Sequence, residues 1–256
     1  MSRITRRQFL RTMFHAGLCV LAGEALASCQ SGTSQPSPTL SPATPTSTPL
    51  PSYIRPALYY KRPSGQPDST KVMCDLCPRR CAIADGQRGE CGVRENRGGT
   101  LYTVVYGRAC AVHVDPIEKK PFYHYLPGSK AFSLATAGCN LHCLYCQNWQ
   151  ISQRRPEEVE NVDLPPERVV AAAQEYDCPV IAYTYTEPTV FYEYMLDTAR
   201  LAREQHLRNV VISAGFINPN PLIELCHAVD AIKIDFKGYS PEFYVRVCQG
   251  ALQPVL

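Results

Sequence analysis

Three cysteines in eight residues, Cys139, Cys143 and Cys146 in the stretch AGCNLHCLYCQNWQIS, constrain this chain more than any other feature. Iron–sulfur clusters are usually held by four thiolates, and closed zinc sites take four ligands. No fourth cysteine follows until Cys178. An open coordination position separates a catalytic metal site from a structural one. Three thiolates on one loop can hold three irons of a 4Fe–4S cluster and leave the fourth iron free for another ligand.

The other cysteines point the same way. The 256-residue chain has 13 of them, an odd number that rules out complete pairing within one chain. They are also clustered, and clustered cysteines favour metal over a disulfide framework. A second group, CDLCPRRCAIADGQRGECGVREN, offers Cys74 and Cys77 as a C-x-x-C knuckle, then Cys81 and Cys91. Four thiolates at this spacing suit zinc or an iron–sulfur cluster, and the competing reading is two disulfides. Gly86, Gly89 and Gly92 are expected to supply tight turns around the metal. Cys110 reads as a small buried hydrophobe, and Cys178, Cys226 and Cys248 as unligated core residues. His113 and His124 read as structural. A net charge of +3, with no basic run or stripe, gives no support for nucleic acid as a partner.

The first 29 residues read as an address: Arg6 and Arg7 precede a modestly apolar run over residues 13–27, which resembles a Tat export signal. The run ends in LASC, similar to a bacterial lipobox with Cys29 as the lipidated residue and membrane anchor. The alternative leaves the protein in the cytoplasm. Residues 30–55 form a linker, and its first 23 residues hold six prolines and no charge. Such a stretch cannot bury enough apolar surface to offset its ordering entropy. Residues 56–127 follow as a cysteine-rich domain, with strand-like alternation over residues 101–105 and 109–114.

From residue 128 the pattern becomes α/β. FSLATAG, VIAYTYTEP, NVVISAGF and AIKIDFKG read as strands. PERVVAAAQEYD, TVFYEYMLDTARLAREQ, NPLIELCHAV and PEFYVRVC read as helices between and after them. This alternation implies parallel strands joined by right-handed crossovers. The three-cysteine loop then follows the first strand, at the C-terminal edge where such sheets place their chemistry.

In that context the C-x3-C-x2-C loop resembles the radical S-adenosylmethionine (radical SAM) superfamily. The ordered set CDLCPRRC, GECGVR, GCNLHCLYCQNWQIS, YTEPTVFYEYMLDTA, ISAGFI and IDFKGYSPEFYVRVCQG is similar to the AmmeMemoRadiSam-system radical SAM enzymes, relatives of the pyruvate formate-lyase activating enzymes, over residues 73–250. The resemblance implies a partial (β/α) barrel and a 4Fe–4S cluster on Cys139, Cys143 and Cys146. It implies that S-adenosylmethionine chelates the open iron, and that its reductive cleavage gives a 5′-deoxyadenosyl radical. That radical abstracts hydrogen from an unidentified protein or small-molecule substrate, with a low-potential electron donor as partner. By the same resemblance Tyr145 lies against the adenine, and Thr186 and Glu187 meet the amino end of the cofactor. Activating enzymes carry Gly-Gly-Glu there, and YTEP departs from it. Asp235 and Lys237 match a pair near the methionyl group. Ser213 occupies a corresponding loop, with SAGF in place of Ser-Asn-Gly. Relatives complete six βα units and four are visible here, so the barrel is expected to be truncated at its C-terminus.

Each transferred residue also has a plainer reading. Glu187 could cap the helix after Pro188, and Asp235 and Lys237, two apart on one strand face, could be a simple ion pair. Two other classes compete with the enzyme: an exported iron–sulfur electron carrier, and a catalytically inactive zinc-binding module.

Overall fold

The computed structural model describes residues 50–63 and 70–256. The export segment with Arg6, Arg7 and Cys29, and the linker as far as residue 49, lie outside the described residues.

The parallel strands arise where the sequence is apolar on both faces. The central sheet is built from β1 (Ala111–Pro116), β2 (Lys130–Ala135), β3 (Val180–Tyr183), β4 (Arg208–Ser213) and β5 (Ala231–Ile234), in the order β5–β4–β3–β2–β1. Strands β2 to β5 are mutually parallel. All four residues of β3 are buried, whereas β5, an edge of the described sheet, is only half covered. The other edge differs from the sequence expectation. Residues 109–114 read as part of the cysteine-rich region, yet β1 pairs antiparallel along the whole of β2, from Ala111 opposite Ala135 to Pro116 opposite Lys130. Alternation identifies a strand but not the partner it will find, and here the partner is the main sheet.

The helices are set by apolar spacing and by their starts. A single turn α1 (Trp149–Ser152) follows the cysteine loop. Helix α2 (Pro166–Glu175) opens on a proline, which lacks the N–H that a first turn would leave unpaired, and buries Val169, Val170 and Ala173. Helix α3 (Tyr192–Glu204) buries Tyr192, Met195, Leu196, Ala199 and Ala202 along one face. It starts later than TVFYEYMLDTARLAREQ suggests, because Pro188–Phe191 forms a tighter 3-10 turn capped by Glu187. Helix α4 (Pro219–Ala228) crosses to β5. The segment PEFYVRVC is α-helical only over Pro241–Phe243. It widens into a π-helical turn at Tyr244–Cys248, which Gln249 ends in a left-handed conformation.

Short antiparallel ladders make up the upstream region: Thr100–Thr103 pairs with Arg55–Pro56 and Arg94–Arg97, and Val72–Cys74 pairs with Tyr60–Lys61 and Ala82–Ile83. Val72, Val93 and Leu101 share one apolar core with Ile181, Tyr192 and Met195, so these ladders pack on the α/β part rather than standing apart. Among the described residues no helix is long and apolar enough to cross a membrane.

Candidate active site at the cysteine loop

The chain leaves β2 through Gly138, whose φ of +94° only glycine adopts readily. A Cβ there would lie 2.5 Å from the Cys91 carbonyl oxygen, so the loop entry is pressed against the upstream cysteine segment. Backbone bonds then hold the loop on both sides. His142 N–H donates to Cys248 O (3.0 Å), Leu144 N–H to Val247 O (2.9 Å) and Gly138 N–H to Ile151 O (3.0 Å). Arg79, between Cys77 and Cys81, donates from Nε to Asn140 O (2.9 Å) and from Nη2 to Gln249 O.

This arrangement brings Cys139, Cys143 and Cys146 to one cavity of about 980 Å³, together with Tyr145, Thr186, Glu187, Ser213, Asp235 and Lys237. Every candidate residue of the cofactor site therefore shares one space, at the C-terminal ends of β2 to β5. Burial pushes the Cys139 thiol well up, aided by the nearby Glu187 charge, and it pushes Cys143 up to about 12, aided by Cys248. From the sequence, Cys248 reads as an unligated core residue. The structure buries it against Cys143, with its Sγ 3.9 Å from the Tyr145 hydroxyl. Its only signal would have been helical proximity to a loop a hundred residues away, which local pattern does not contain.

Glu187 is the most elaborated residue of the site. It is 3% exposed. Its Oε1 accepts from Thr189 N–H (3.1 Å), the Thr189 hydroxyl (2.7 Å) and the Ser213 hydroxyl (2.7 Å), and its Oε2 accepts from Ala214 N–H (2.8 Å). The capping reading is therefore correct but incomplete, since the same carboxylate also ties the end of β3 to the end of β4. Among the described residues it forms no ion pair within 4.0 Å. Lys237 acts on it only at longer range, and a buried carboxylate without a close partner is costly, so this site suits a cationic group.

Ser213 acts through Glu187: its hydroxyl donates to that carboxylate and accepts from Gly215 N–H at 3.0 Å. Thr186 is a framework residue, its hydroxyl donating to Thr136 O at 2.8 Å. Asp235 and Lys237 do pair, and Lys233 adds a 3.2 Å contact to Asp235. Burial pushes Asp235 up, but Lys237 outweighs it and holds the carboxyl below its usual range; burial pushes Lys237 down, but Asp235 outweighs it and the ammonium stays above its usual range. Tyr145 is 52% exposed at the rim, beside Phe243. Trp149 is half exposed in α1.

Upstream, Cys74, Cys77, Cys81 and Cys91 line a separate void of about 20 Å³ along with Asn140 and Arg94. Burial pushes the thiols of Cys77 and Cys91 up, to about 11 and about 12. All four are free thiols rather than disulfides. Gly86 and Gly92 take positive φ as expected. Gly89 instead lies under Cys81, where a Cβ would sit 3.5 Å from Sγ. Among the described residues no three His, Cys, Asp or Glu side chains converge as ligands of one metal ion. Of the remaining cysteines, Cys178 is buried as expected, but Cys226 is exposed on α4 and is not a core residue. Cys110 is only partly buried, because it faces the large cavity.

Comparison with known proteins agrees with this geometry. Residues 133–253 match the family model described as the Radical SAM superfamily. The chain is 49% identical over 203 residues to an uncharacterized protein of Methanocaldococcus jannaschii, an alignment covering 79% of this chain and 59% of that protein. The chain thus spans about three fifths of the length of this relative.

Proposed function

A Radical SAM superfamily domain spans residues 133–253, and from that premise we propose that the chain is an iron–sulfur enzyme that cleaves S-adenosylmethionine reductively. One observation carries the reading: Cys139, Cys143 and Cys146 share a cavity with Glu187, Ser213, Asp235 and Lys237. When bound, a 4Fe–4S cluster and S-adenosylmethionine would supply an electron and a 5′-deoxyadenosyl radical that abstracts hydrogen from a substrate. The protein's own part is holding and orienting. Three thiolates grip from one braced loop, and Glu187 presents a fixed negative charge with one lone pair of Oε2 unused. Asp235 and Lys237 hold each other at the end of β5. An electron carrier or a zinc module has no use for a carboxylate cradled by four donors beside the thiols.

The motif set supports a finer assignment, to the AmmeMemoRadiSam-system enzymes related to the pyruvate formate-lyase activating enzymes. Their likeness suggests a protein or small-molecule substrate and a low-potential electron donor. The test is anaerobic reconstitution followed by iron analysis and a 5′-deoxyadenosine assay. Wild type should bind about four irons at the loop and form 5′-deoxyadenosine. The triple variant Cys139→Ala, Cys143→Ala, Cys146→Ala should lose both. Full iron content in that variant would overturn the assignment.

The upstream thiols are proposed to bind metal independently, as zinc or a second cluster. In the triple variant, a further Cys77→Ser with Cys81→Ser should remove the metal that remains. No residual metal in the triple variant, with two disulfides found instead, would reject this proposal.

The export segment is proposed to carry the folded protein outward and to anchor it through Cys29. Arg6→Lys with Arg7→Lys should then leave the protein in the cytoplasm. Fractionation showing wild type unprocessed and cytoplasmic would remove the proposal.

A further inference from the structure

One wall of the large cavity is left unused by this chemistry. Cys110, Ala111, His113, Lys119 and Lys120 line it. They come from β1, the residue before it, and the turn Ile117–Lys119 with its closing residue Lys120, all ahead of the matched residues 133–253. Chemistry common to a superfamily belongs in its shared domain, whereas a wall supplied from outside that domain is where an individual enzyme can fit its own substrate.

The wall is built around charge. Lys120 is 2% exposed. Its Nζ donates to Asp115 Oδ2 (2.6 Å) and the Tyr185 hydroxyl (3.1 Å), and stands 4.2 Å from the centre of the Tyr185 ring. An ammonium has three N–H bonds, so one remains. Lys119 donates to Asp115 Oδ1 (2.8 Å), with 63% of its side chain exposed. Two ammonium groups therefore share one carboxylate, which leaves a net charge of about +1. Burial lowers the Lys120 pKa more than Asp115 restores it, as expected where negative charge is in short supply.

Tyr185 is held in place at a conformational cost. Its φ is +66°, a left-handed conformation that non-glycine residues adopt only at a cost. That backbone lets its hydroxyl donate to Asp115 (2.5 Å) and sets its ring edge-on to His113 at 5.6 Å. Its carbonyl meanwhile accepts from Asn148 Nδ2 (2.6 Å), two residues beyond Cys146. The basic wall is thereby joined to the tail of the cysteine loop.

The cavity thus has two unlike ends. Glu187 has no ion pair among the described residues, Asp235 and Lys237 pair with each other, and Lys119 and Lys120 share the single carboxylate of Asp115. Single-ligand pockets run from about 300 to 1,000 Å³, and 980 Å³ puts this cavity at the upper end of that range. We propose that Lys119, Lys120 and His113 form a substrate subsite for a carboxylate or phosphate group. The inference rests on the radical-enzyme reading only for the chemistry carried out beside the subsite.

The test titrates inorganic phosphate and, separately, succinate into the reconstituted full chain reduced with dithionite, first without and then with S-adenosylmethionine, by calorimetry. One of the two should bind saturably at one site per chain, and the tighter one names the group. Lys119→Gln should weaken it about tenfold, or about 1.4 kcal/mol. Lys119→Arg should retain binding, and the distant Lys61→Gln should not change it. Three results would overturn the subsite: no saturable binding of either anion, binding indifferent to Lys119→Gln, or binding abolished by adding S-adenosylmethionine, which would make this the cofactor's own carboxylate site. 5′-Deoxyadenosine is measured on the same samples. Anion binding without it supports the subsite and removes the radical reading; normal formation without anion binding removes the subsite alone.

Discussion

Arg94→Met should lower the stability of the full chain by about 3–5 kcal/mol in urea unfolding, the usual cost of leaving one member of a buried ion pair alone. Arg94 is 2% exposed, and its Nη1 bonds both oxygens of Glu193, at 2.9 and 3.3 Å. Its Nη2 donates to Leu58 O, while Leu58 N–H donates to Glu193 Oε1 at 2.7 Å. The four groups close a ring between the upstream ladders and α3. Burial pushes the Arg94 pKa down, but Glu193 and then the Cys74 and Cys91 thiols outweigh it, so the guanidinium stays charged. The ring is not perfect, because Arg94 Nε is buried with no partner. That defect predicts how the double variant behaves. Arg94→Met with Glu193→Met removes both charges and the orphaned N–H together, and should recover most of the loss. A single variant that costs under about 1 kcal/mol, or a double variant as unstable as the sum of both singles, would defeat the account.

This ring also shows where sequence reading ends. Strands β2 to β4 were legible because their residues are apolar on both faces, a signal carried within each segment. The cysteine loop was legible because its three ligands lie within eight residues. Glu187, Ser213, Asp235 and Lys237 came through resemblance, and the structure places all four on one cavity. By contrast, the Arg94–Glu193 pair spans 99 positions and the Cys143–Cys248 contact 105, and no periodicity marks either. β1 was recognised as a strand but placed with the wrong neighbours, since alternation says nothing about pairing. Lys119 and Lys120 received no reading from the sequence, because Lys120 is buried against the left-handed Tyr185, 65 positions away, and tyrosine is not a residue type that advertises positive φ. Exposed Cys226 failed in the opposite direction: an apolar helix sequence was taken for a buried face at a position that turns outward.

Glu187→Gln should reduce 5′-deoxyadenosine formation about a hundredfold while the iron content of the reconstituted protein stays full. The residue touches no expected iron ligand covalently, so cluster assembly on Cys139, Cys143 and Cys146 does not need it. What it provides is charge and order at the edge of the cavity. The carboxylate sits beside Cys139 with four donors fixing both oxygens. An amide keeps Oε1 and its three donors, but turns an N–H toward the Ala214 N–H that Oε2 now accepts. Two opposed donors in a buried setting cost about 1–3 kcal/mol. The strain falls on the end of β4, where Ser213 and Gly215 are held through the same network. Loss of the negative charge adds to this, because a hydrogen bond from a cationic group to a carboxylate contributes about 1.5–3 kcal/mol. A hundredfold loss corresponds to about 2.7 kcal/mol on the barrier, within reach of the two effects together. Glu187→Asp is the control for charge without reach, and should fall between wild type and glutamine. An unchanged rate in Glu187→Gln would show that the cradle is only a cap for the turn at Pro188–Phe191. Loss of iron in step with loss of rate would show that it props up the cysteine loop and has no part in handling the cofactor.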